Sequence, residues 1–496
     1  MTDDLVATQT RRGISWNLVS ALIVNVVRIG VISVLGRTLV KADFGVVAAA
    51  VTVNVVIFSV RDLGMGPALV QRPTVTPAHF TTAFAVSILL GAAATLGLLV
   101  AAPVIASAYH MPQLTNIVRG LAPLFIIGGL SLVSRAQCQR SLRFRTIALI
   151  DTFAFLAGAA VSITLAISHF GAWALVLGYL VEELVGSVAY VVARPPSVSL
   201  RVDRASFRDL MGFGGWQIVS NIAGNLAVNA DNVVVGRSIG ATGLGYYARA
   251  YDLMKFPSQV FTAIVGNVLF PSFSRMQADQ ARVADGFCRG LLVNALVLLP
   301  GSALLIVCAP EVIRILFGPD WDGAVLSFRI LTVTMMFRTS QKLAILVVLA
   351  AGRVEIVALL NIFYMAFIFC AALVTVRWGI AAVAVSTGCA IIGMTIATAG
   401  FAKSVSGVTW AAMGRAHIPG ALAAVVVGLT CWPAAAAVRT KLSGPLVLVV
   451  VISLLAATGA ALTVWLARRC FWNEWQWLAG QVVRGRAQLK KTVIAS

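Results

Sequence analysis

Apolar segments of about 20 residues, each closed off by charges or a Gly/Pro cluster, recur along the whole chain, and about 30 Å of hydrocarbon needs that much helix to cross it. The sequence predicts fourteen of them. They are Ile14–Leu35, Phe44–Ser59, Phe80–Ala106, Gly120–Val133, Ile147–Ile167, Ala172–Val192, Gly212–Val235, Leu244–Phe273, Gly290–Cys308, Ala324–Ala351, Ile356–Val376, Ile380–Phe401, Ile418–Ala437 and Leu446–Leu466. A backbone with no water to bond to must satisfy its own polar groups, so the expected fold class is an all-α polytopic membrane protein. Composition agrees: 59% of residues are hydrophobic and 11% charged, a balance that lipid rather than water solvates. The polar start, Met1 to Gly13, leads into a run too long for a signal-peptide core and interrupted by Asn17, Asn25 and Arg28. It is expected to be the first membrane helix.

The chain also repeats itself. At an ungapped offset of 200, the region from Ser15 to Ala50 returns Trp16/Trp216, Asn25/Asn225, Gly36/Gly236, Arg37/Arg237, Gly45/Gly245 and Ala48/Ala248. An internal duplication explains the shared register, and duplicated helical membrane proteins commonly hold their site between the two copies. The expected division is residues 1–200 for the first six spans, 201–403 for the next six, and 404–496 for a helix pair and basic tail.

A formal net charge of +20 reads as topology, since no soluble basic domain with interleaved aromatics accompanies it and no nucleic-acid partner is implied. Of the 38 Lys and Arg residues, 24 fall on the N-terminal side of the spans, 8 on the opposite side and 6 inside them. That bias predicts both termini in the cytoplasm. The densest clusters, Arg135, Arg140, Arg143 and Arg145, then Arg194, Arg201, Arg204 and Arg208, fit either retention beside anionic lipid or the gathering of an anionic lipid substrate. Seven cysteines form no CxxC or metal-ligand spacing, and the four histidines are scattered, so neither a metal nor another cofactor is expected.

Ionisable side chains near the bilayer centre cost at least about 2.5–3.5 kcal/mol each and normally face a partner or a wet cavity. Arg249, Asp252 and Lys255 share a helix face at i, i+3, i+6, as a self-neutralised seam or as the wall of a cavity. Arg338 and Lys342, at i and i+4 around Thr339, Ser340 and Gln341, repel one another and are expected to meet an anion or water-filled path. Arg28 either lines the same cavity or snorkels outward. These six are the substrate-binding candidates. Glu182, Glu183 and Asp231 are the ion-coupling candidates. The two glutamates stand about 100° apart on one helix, so they are not expected to face one site; Asp231 sits near a span end, where an outer-interface position also suits it. No nucleophile with a nearby base and no phosphate-binding loop is present, which leaves transport rather than catalysis.

The residues Asp231-Asn232-Val233-Val234-Val235-Gly236-Arg237, Gly245-Tyr246-Tyr247-Ala248-Arg249-Ala250-Tyr251, Pro257 and Phe270-Pro271-Ser272-Phe273-Ser274-Arg275 resemble the polysaccharide transporter (Wzx-type oligosaccharide flippase) family of the multidrug/oligosaccharidyl-lipid/polysaccharide superfamily. Gly36-Arg37, Asp43-Phe44-Gly45, Asp62-Leu63-Gly64 and Leu69-Val70-Gln71-Arg72 fit the same pattern. The resemblance implies two six-helix lobes in a V around a cationic cavity, with two helices appended. It implies a flippase for undecaprenyl-diphosphate-linked oligosaccharide in the bacterial inner membrane, with membrane lipids, a polysaccharide polymerase and chain-length machinery as partners. A cation-coupled multidrug or small-solute antiporter is the second reading, and a membrane-embedded glycan polymerase or ligase the third.

Overall fold

A computed structural model describes residues 24–441, apart from 26, 62–63, 73, 198, 213–214 and 277–279, together with four positions between 453 and 461. The start of the first expected span, all but four positions of the fourteenth, the basic tail, Trp16, and Asp62 with Leu63 therefore lie outside the described residues, as do the side chains of Trp216 and of Phe270 to Arg275.

The chain is all helical, in the order α1 (24–38), α2 (Lys41–Arg61), α3 (Met65–Gln71), α4 (Pro77–Tyr109), α5 (Leu114–Leu121), α6 (Leu124–Arg140), α7 (Phe144–Ile167), α8 (Ala172–Ala193), α9 (Arg204–Gly212), α10 (Gly215–Ile239), α11 (Ala241–Met276), α12 (Gln280–Val307), α13 (Ala309–Phe317), the 3-10 turn η1 (Pro319–Ala324), α14 (Val325–Val333), α15 (Met335–Ala350), α16 (Val354–Thr375), η2 (Val376–Trp378), α17 (Ile380–Ser406) and α18 (Trp410–Lys441). Local chemistry sets the ends. Pro77 opens α4 at a position whose N–H needs no partner, and Thr76 exchanges hydrogen bonds with His79, its hydroxyl lying 2.7 Å from Nδ1. Gly407, at φ 71°, closes α17.

Among the described residues, nine stretches are long and apolar enough to cross a membrane, and ten with the bent pair Pro319–Val333 and Met335–Ala350. The protein is thus multi-pass. Val100, Phe153, Phe363 and Leu429 are 70–78% exposed, a surface that only lipid makes favourable. Three elements differ from the sequence expectation. The fourth span is two helices, α5 and α6, parted at Ala122 and Pro123. The tenth breaks at Thr334, where the Thr334 hydroxyl turns back to the Leu331 carbonyl at 2.7 Å and the two arms bend by 42°. Helices α10 and α11, 25 and 36 residues long, are not among these apolar stretches, although the sequence expectation gave each a span.

The duplicated registers meet in space. α2 and α11 cross so closely that a Cβ on Gly45 would overlap the Ala241 carbonyl oxygen, and one on Gly245 the Lys41 carbonyl oxygen. Small residues permit such backbone approach in membranes. Around this crossing α1 reaches α13 and η1: Arg37 donates to the Ile315 carbonyl at 2.7 Å, and Gly36 accepts from Trp321 Nε1 at 3.0 Å. In turn α10 reaches α4, with Arg237 donating to Ala108 and Gly236 packed on the Tyr109 ring. Trp321, 2% exposed, is held by the Phe44, Tyr246 and Phe317 rings, whose centroids lie 4.8–5.7 Å away.

The segment after α8 is docked. Asp203 caps α9 by accepting from the Ser206 amide at 2.8 Å, its own amide donates to Thr82 at 3.1 Å, and Asp209 pairs with Arg72 at 3.0 Å. Arg140, from the first basic cluster, donates to the carbonyls of Leu69, Val70 and Arg72 and so closes the C-terminus of α3. Arg135 pairs with Asp151 at 3.3 Å. Farther along, Arg439 grips Glu311 with two bonds of 2.9 and 3.0 Å, tying the end of α18 to the start of α13.

Candidate functional site: a cavity shared by the two copies

A cavity of about 960 Å³ opens among helices from both the N-terminal and the later part of the described chain. One wall comes from α1, α2, α7 and α8, and the other from α10 and α11 with α12 to α14 beyond. α7 and α8 build one side by close approach: a Cβ on Gly158 would sit 2.7 Å from the Gly178 carbonyl oxygen, and one on Gly178 would overlap the Ser162 hydroxyl.

Four substrate candidates border this cavity. On α11, Asp252 pairs with Arg249 at 2.9 Å and with Lys255 at 2.8 Å. Both sequence alternatives hold together here, for the seam is internally paired and also lines the cavity, carrying a formal charge of one cation in excess. Aromatic faces support the cations: Arg249 lies 5.3 Å from the Phe44 ring centroid and Lys255 4.8 Å from that of Tyr251. Arg249 Nε is buried with no hydrogen-bond partner, a donor left over by the pairing. Arg28 borders the same space, 5.2 Å from the Phe155 centroid.

Arg338 and Lys342 are not in that wall, a correction to the expectation drawn from their spacing. Arg338, 8% exposed, sits behind the wall and donates to the Tyr251 hydroxyl at 2.7 Å. The polar run after it bonds helices together: Thr339 to Ser258 of α11 at 2.7 Å, and Ser340 to Asn294 of α12 at 2.8 Å. Lys342 is half-buried within coulombic range of Arg338 and Lys255. The Tyr251 hydroxyl thus takes one of the guanidinium hydrogen bonds of Arg338.

The three acidic candidates also move. Glu182 and Glu183 both border the cavity, against the geometric expectation, because the wall curves around α8 through more than the angle between adjacent residues. Arg28 lies within coulombic range of Glu182. Asp231 is 1% exposed and belongs to the interior of the second copy, not to an outer interface. Its carboxylate accepts from the Tyr247 hydroxyl at 2.6 Å, the Thr387 hydroxyl at 3.2 Å and the Asn232 amide at 2.9 Å. Tyr247 stacks on Tyr251 with centroids 6.2 Å apart, so Asp231, Tyr247, Tyr251 and Arg338 form one buried row behind the cavity wall.

The charge balance differs from a cationic cavity. Among the described residues the lining holds Arg28, Arg249 and Lys255 against Glu182, Glu183 and Asp252, three of each sign. Sequence reasoning also passed over Asn54, 5% exposed in the α2 wall with neither amide atom bonded. One polar residue inside Val-Thr-Val-Asn-Val-Val was the available signal. Tyr247, Tyr251 and Lys255, spaced four apart, were another.

With this geometry in view, known proteins can be compared. The chain is 28% identical over 357 residues to the teichuronic acid biosynthesis protein TuaB of Bacillus subtilis (strain 168), covering 71% of this chain and 73% of that one. It is 25% identical over 373 residues to the lipopolysaccharide biosynthesis protein WzxC of Escherichia coli (strain K12), covering 74% and 75%. Its fold is that of the lipid II flippase MurJ in an inward closed conformation, with a TM-score of 0.76 over 91% of this chain and 98% of that one at 11% identity. The profile of the family described as polysaccharide biosynthesis protein matches residues 34–326, a stretch that holds the α2 and α11 crossing and the paired charges of the cavity. The chain belongs to that polysaccharide biosynthesis protein family.

Proposed function

We propose that the protein is a flippase that moves an undecaprenyl-diphosphate-linked oligosaccharide from the cytoplasmic to the periplasmic leaflet of a bacterial inner membrane, for export polysaccharide or lipopolysaccharide assembly. The observation that carries this reading is the α11 triad: two cations on one carboxylate, beside Arg28, in a cavity shared by both copies. A diphosphate in the cavity can pair with the Arg249 and Lys255 cations, while the prenyl chain stays in lipid. The names of TuaB and WzxC, for teichuronic acid and lipopolysaccharide biosynthesis, and that of MurJ, a lipid II flippase, point the same way.

The movement in this reading is alternating access by rocking of two six-helix lobes, residues 1–200 and 201–403, with 404–496 appended. The reciprocal reach of Gly36-Arg37 and Gly236-Arg237 supports a pseudo-twofold relation between them. The Lys and Arg bias supports cytoplasmic termini, which puts the Gly45 and Gly245 crossing on the periplasmic side and makes the described state closed there. Asp231, with neutral donors around it, and the two cavity glutamates are the ion-coupling groups of this mechanism. No step breaks or forms a covalent bond. Vesicles reconstituted with the full chain and a labelled lipid-linked oligosaccharide test the reading. Translocation with unchanged glycan length is expected, whereas elongation favours a polymerase and cation-driven dye efflux an antiporter.

A further inference from the structure

The segment from Leu200 through α9 divides its charges between two sides. Its carboxylates are used by the protein: Asp203 caps the helix through the Ser206 amide, and Asp209 pairs with Arg72 at 3.0 Å while His79 Nε2 lies 3.6 Å away. Its arginines are not. Arg201, Arg204 and Arg208 are exposed, and among the described residues none of the three is in an ion pair. We infer that this arginine face binds the head groups of anionic phospholipids in the adjoining leaflet, so that the link from α8 to α10 is held by protein on one side and by lipid on the other.

Local packing sets which side faces out. Ser206 and Leu210 are buried, and Leu210 packs with Met65 and Leu69 of α3 and Phe84 of α4. Arg204 and Arg208, at i and i+4, stand together on the side away from that core. The helix also lies level with span ends. It follows the lipid-facing Val188 and Val192 of α8, and the Asp203 amide bonds to Thr82 in the second turn of α4. With the cytoplasmic termini proposed above, the adjoining leaflet is the cytoplasmic one.

The neighbouring side chains identify the partner as lipid. Leu200 and Val202, 63% and 45% exposed, flank Arg201. Apolar side chains beside cations suit the boundary between head groups and acyl chains, where an arginine keeps its stem in apolar surroundings and its charge among phosphates. An acidic protein or a nucleic acid would give Leu200 and Val202 no such burial. Bulk phospholipid also fits better than a diphosphate-linked substrate. Arg204 and Arg208 stand about 6 Å apart along the outside of a helix, a spacing for separate phosphates, and no residue of α9 borders the cavity.

The test uses the full chain in vesicles of phosphatidylcholine and phosphatidylglycerol, with native cysteines replaced and a fluorescent donor on Ala205→Cys, an exposed position between Arg204 and Arg208. The acceptor is carried on an acyl chain of trace phosphatidylglycerol or trace phosphatidylcholine, and energy transfer reads which lipid gathers beside α9. Phosphatidylglycerol is expected to be enriched about fivefold or more, the gain that one arginine near an anionic surface supplies. The enrichment is expected to shrink in about 1 M salt, where the screening length is about 3 Å. It is expected to vanish in the Arg201→Gln, Arg204→Gln, Arg208→Gln variant with an unchanged melting temperature, and to be absent with the donor on Ser238→Cys at the far end of α10. Equal transfer to both lipids in the otherwise wild-type protein overturns the inference, as does enrichment that survives the triple substitution or appears equally at Ser238. Labelled undecaprenyl diphosphate that displaces phosphatidylglycerol from α9 at trace level overturns it too, by giving the surface to the substrate. None of these readings depends on translocation, so the flippase reading stands or falls separately.

Discussion

Gly45 on α2 and Gly245 on α11, two hundred positions apart in the repeated register, lie in the same helix crossing and each faces backbone of the other copy. Two residues at the same place in the repeated register thus meet in one contact. The contact has no room for even a methyl group, and the obstructing atoms are carbonyl oxygens that cannot rotate away.

Gly45→Ala is therefore expected to disfavour this closed arrangement without disturbing either copy alone. Spin labels at Thr38 and Ser238, both exposed and themselves an offset pair, on a background with native cysteines replaced, report the separation by pulsed dipolar spectroscopy. A longer-distance population is expected in the variant. An unchanged distribution would mean that the crossing does not hold the copies together.

The bond from Arg338 to the Tyr251 hydroxyl sets that arginine apart from Lys342, two residues whose i, i+4 spacing gave them one role in the sequence reading. Tyr251→Phe leaves a buried guanidinium short of an acceptor, and a hydrogen bond to a charged group is worth about 1.5–3 kcal/mol. A lowered melting temperature is expected from Tyr251→Phe and from Arg338→Ala. Lys342→Ala, outside the cavity wall, is expected to translocate substrate within about a factor of two of wild type, which a free-energy change below about 0.5 kcal/mol allows. A large transport defect in a stable Lys342→Ala protein would put that lysine back among the binding residues.

The connector offers a pH test outside the membrane. Ser206 donates to Asp203 and holds its carboxyl below the usual carboxylate range. A depressed folded-state value means the cap adds stability above the unfolded value, near about pH 4, and loses it as pH falls through the lower folded value. Hydrogen exchange at the Ser206 amide is expected to be slow at neutral pH and to accelerate, relative to the intrinsic rate, only below about pH 4. Asp203→Ala is expected to remove the protection at every pH, and protection that survives the substitution would assign it to another partner.

Much of this architecture was legible from residue order. Span length needs only the bilayer as a solvent, and the offset of 200 singled out Gly36, Arg37 and Gly45, which lie at the contacts between the two registers. The i, i+3, i+6 spacing of Arg249, Asp252 and Lys255 dictated their pairing, since one helix supplies all three. What failed depended on a second helix. Spacing puts Arg338 and Lys342 on one face of α15, but nothing local says that Tyr251 of α11 waits there. Asp231 read as peripheral because its nearness to a span end is local, whereas its burial comes from Tyr247 and Thr387 on other helices. Asn54 escaped notice because an amide carries no charge, although its burial without a partner makes it conspicuous in space.

The α11 triad as the seat of an anionic head group is the claim on which the functional account stands, and translocation by the Arg249→Gln, Lys255→Gln double variant tests it most directly. Measured with labelled undecaprenyl-diphosphate-linked oligosaccharide in vesicles, and with folding verified by melting temperature, its rate is expected to fall about a hundredfold, as for losing two charge-assisted contacts. A rate equal to that of the wild-type protein would contradict the account.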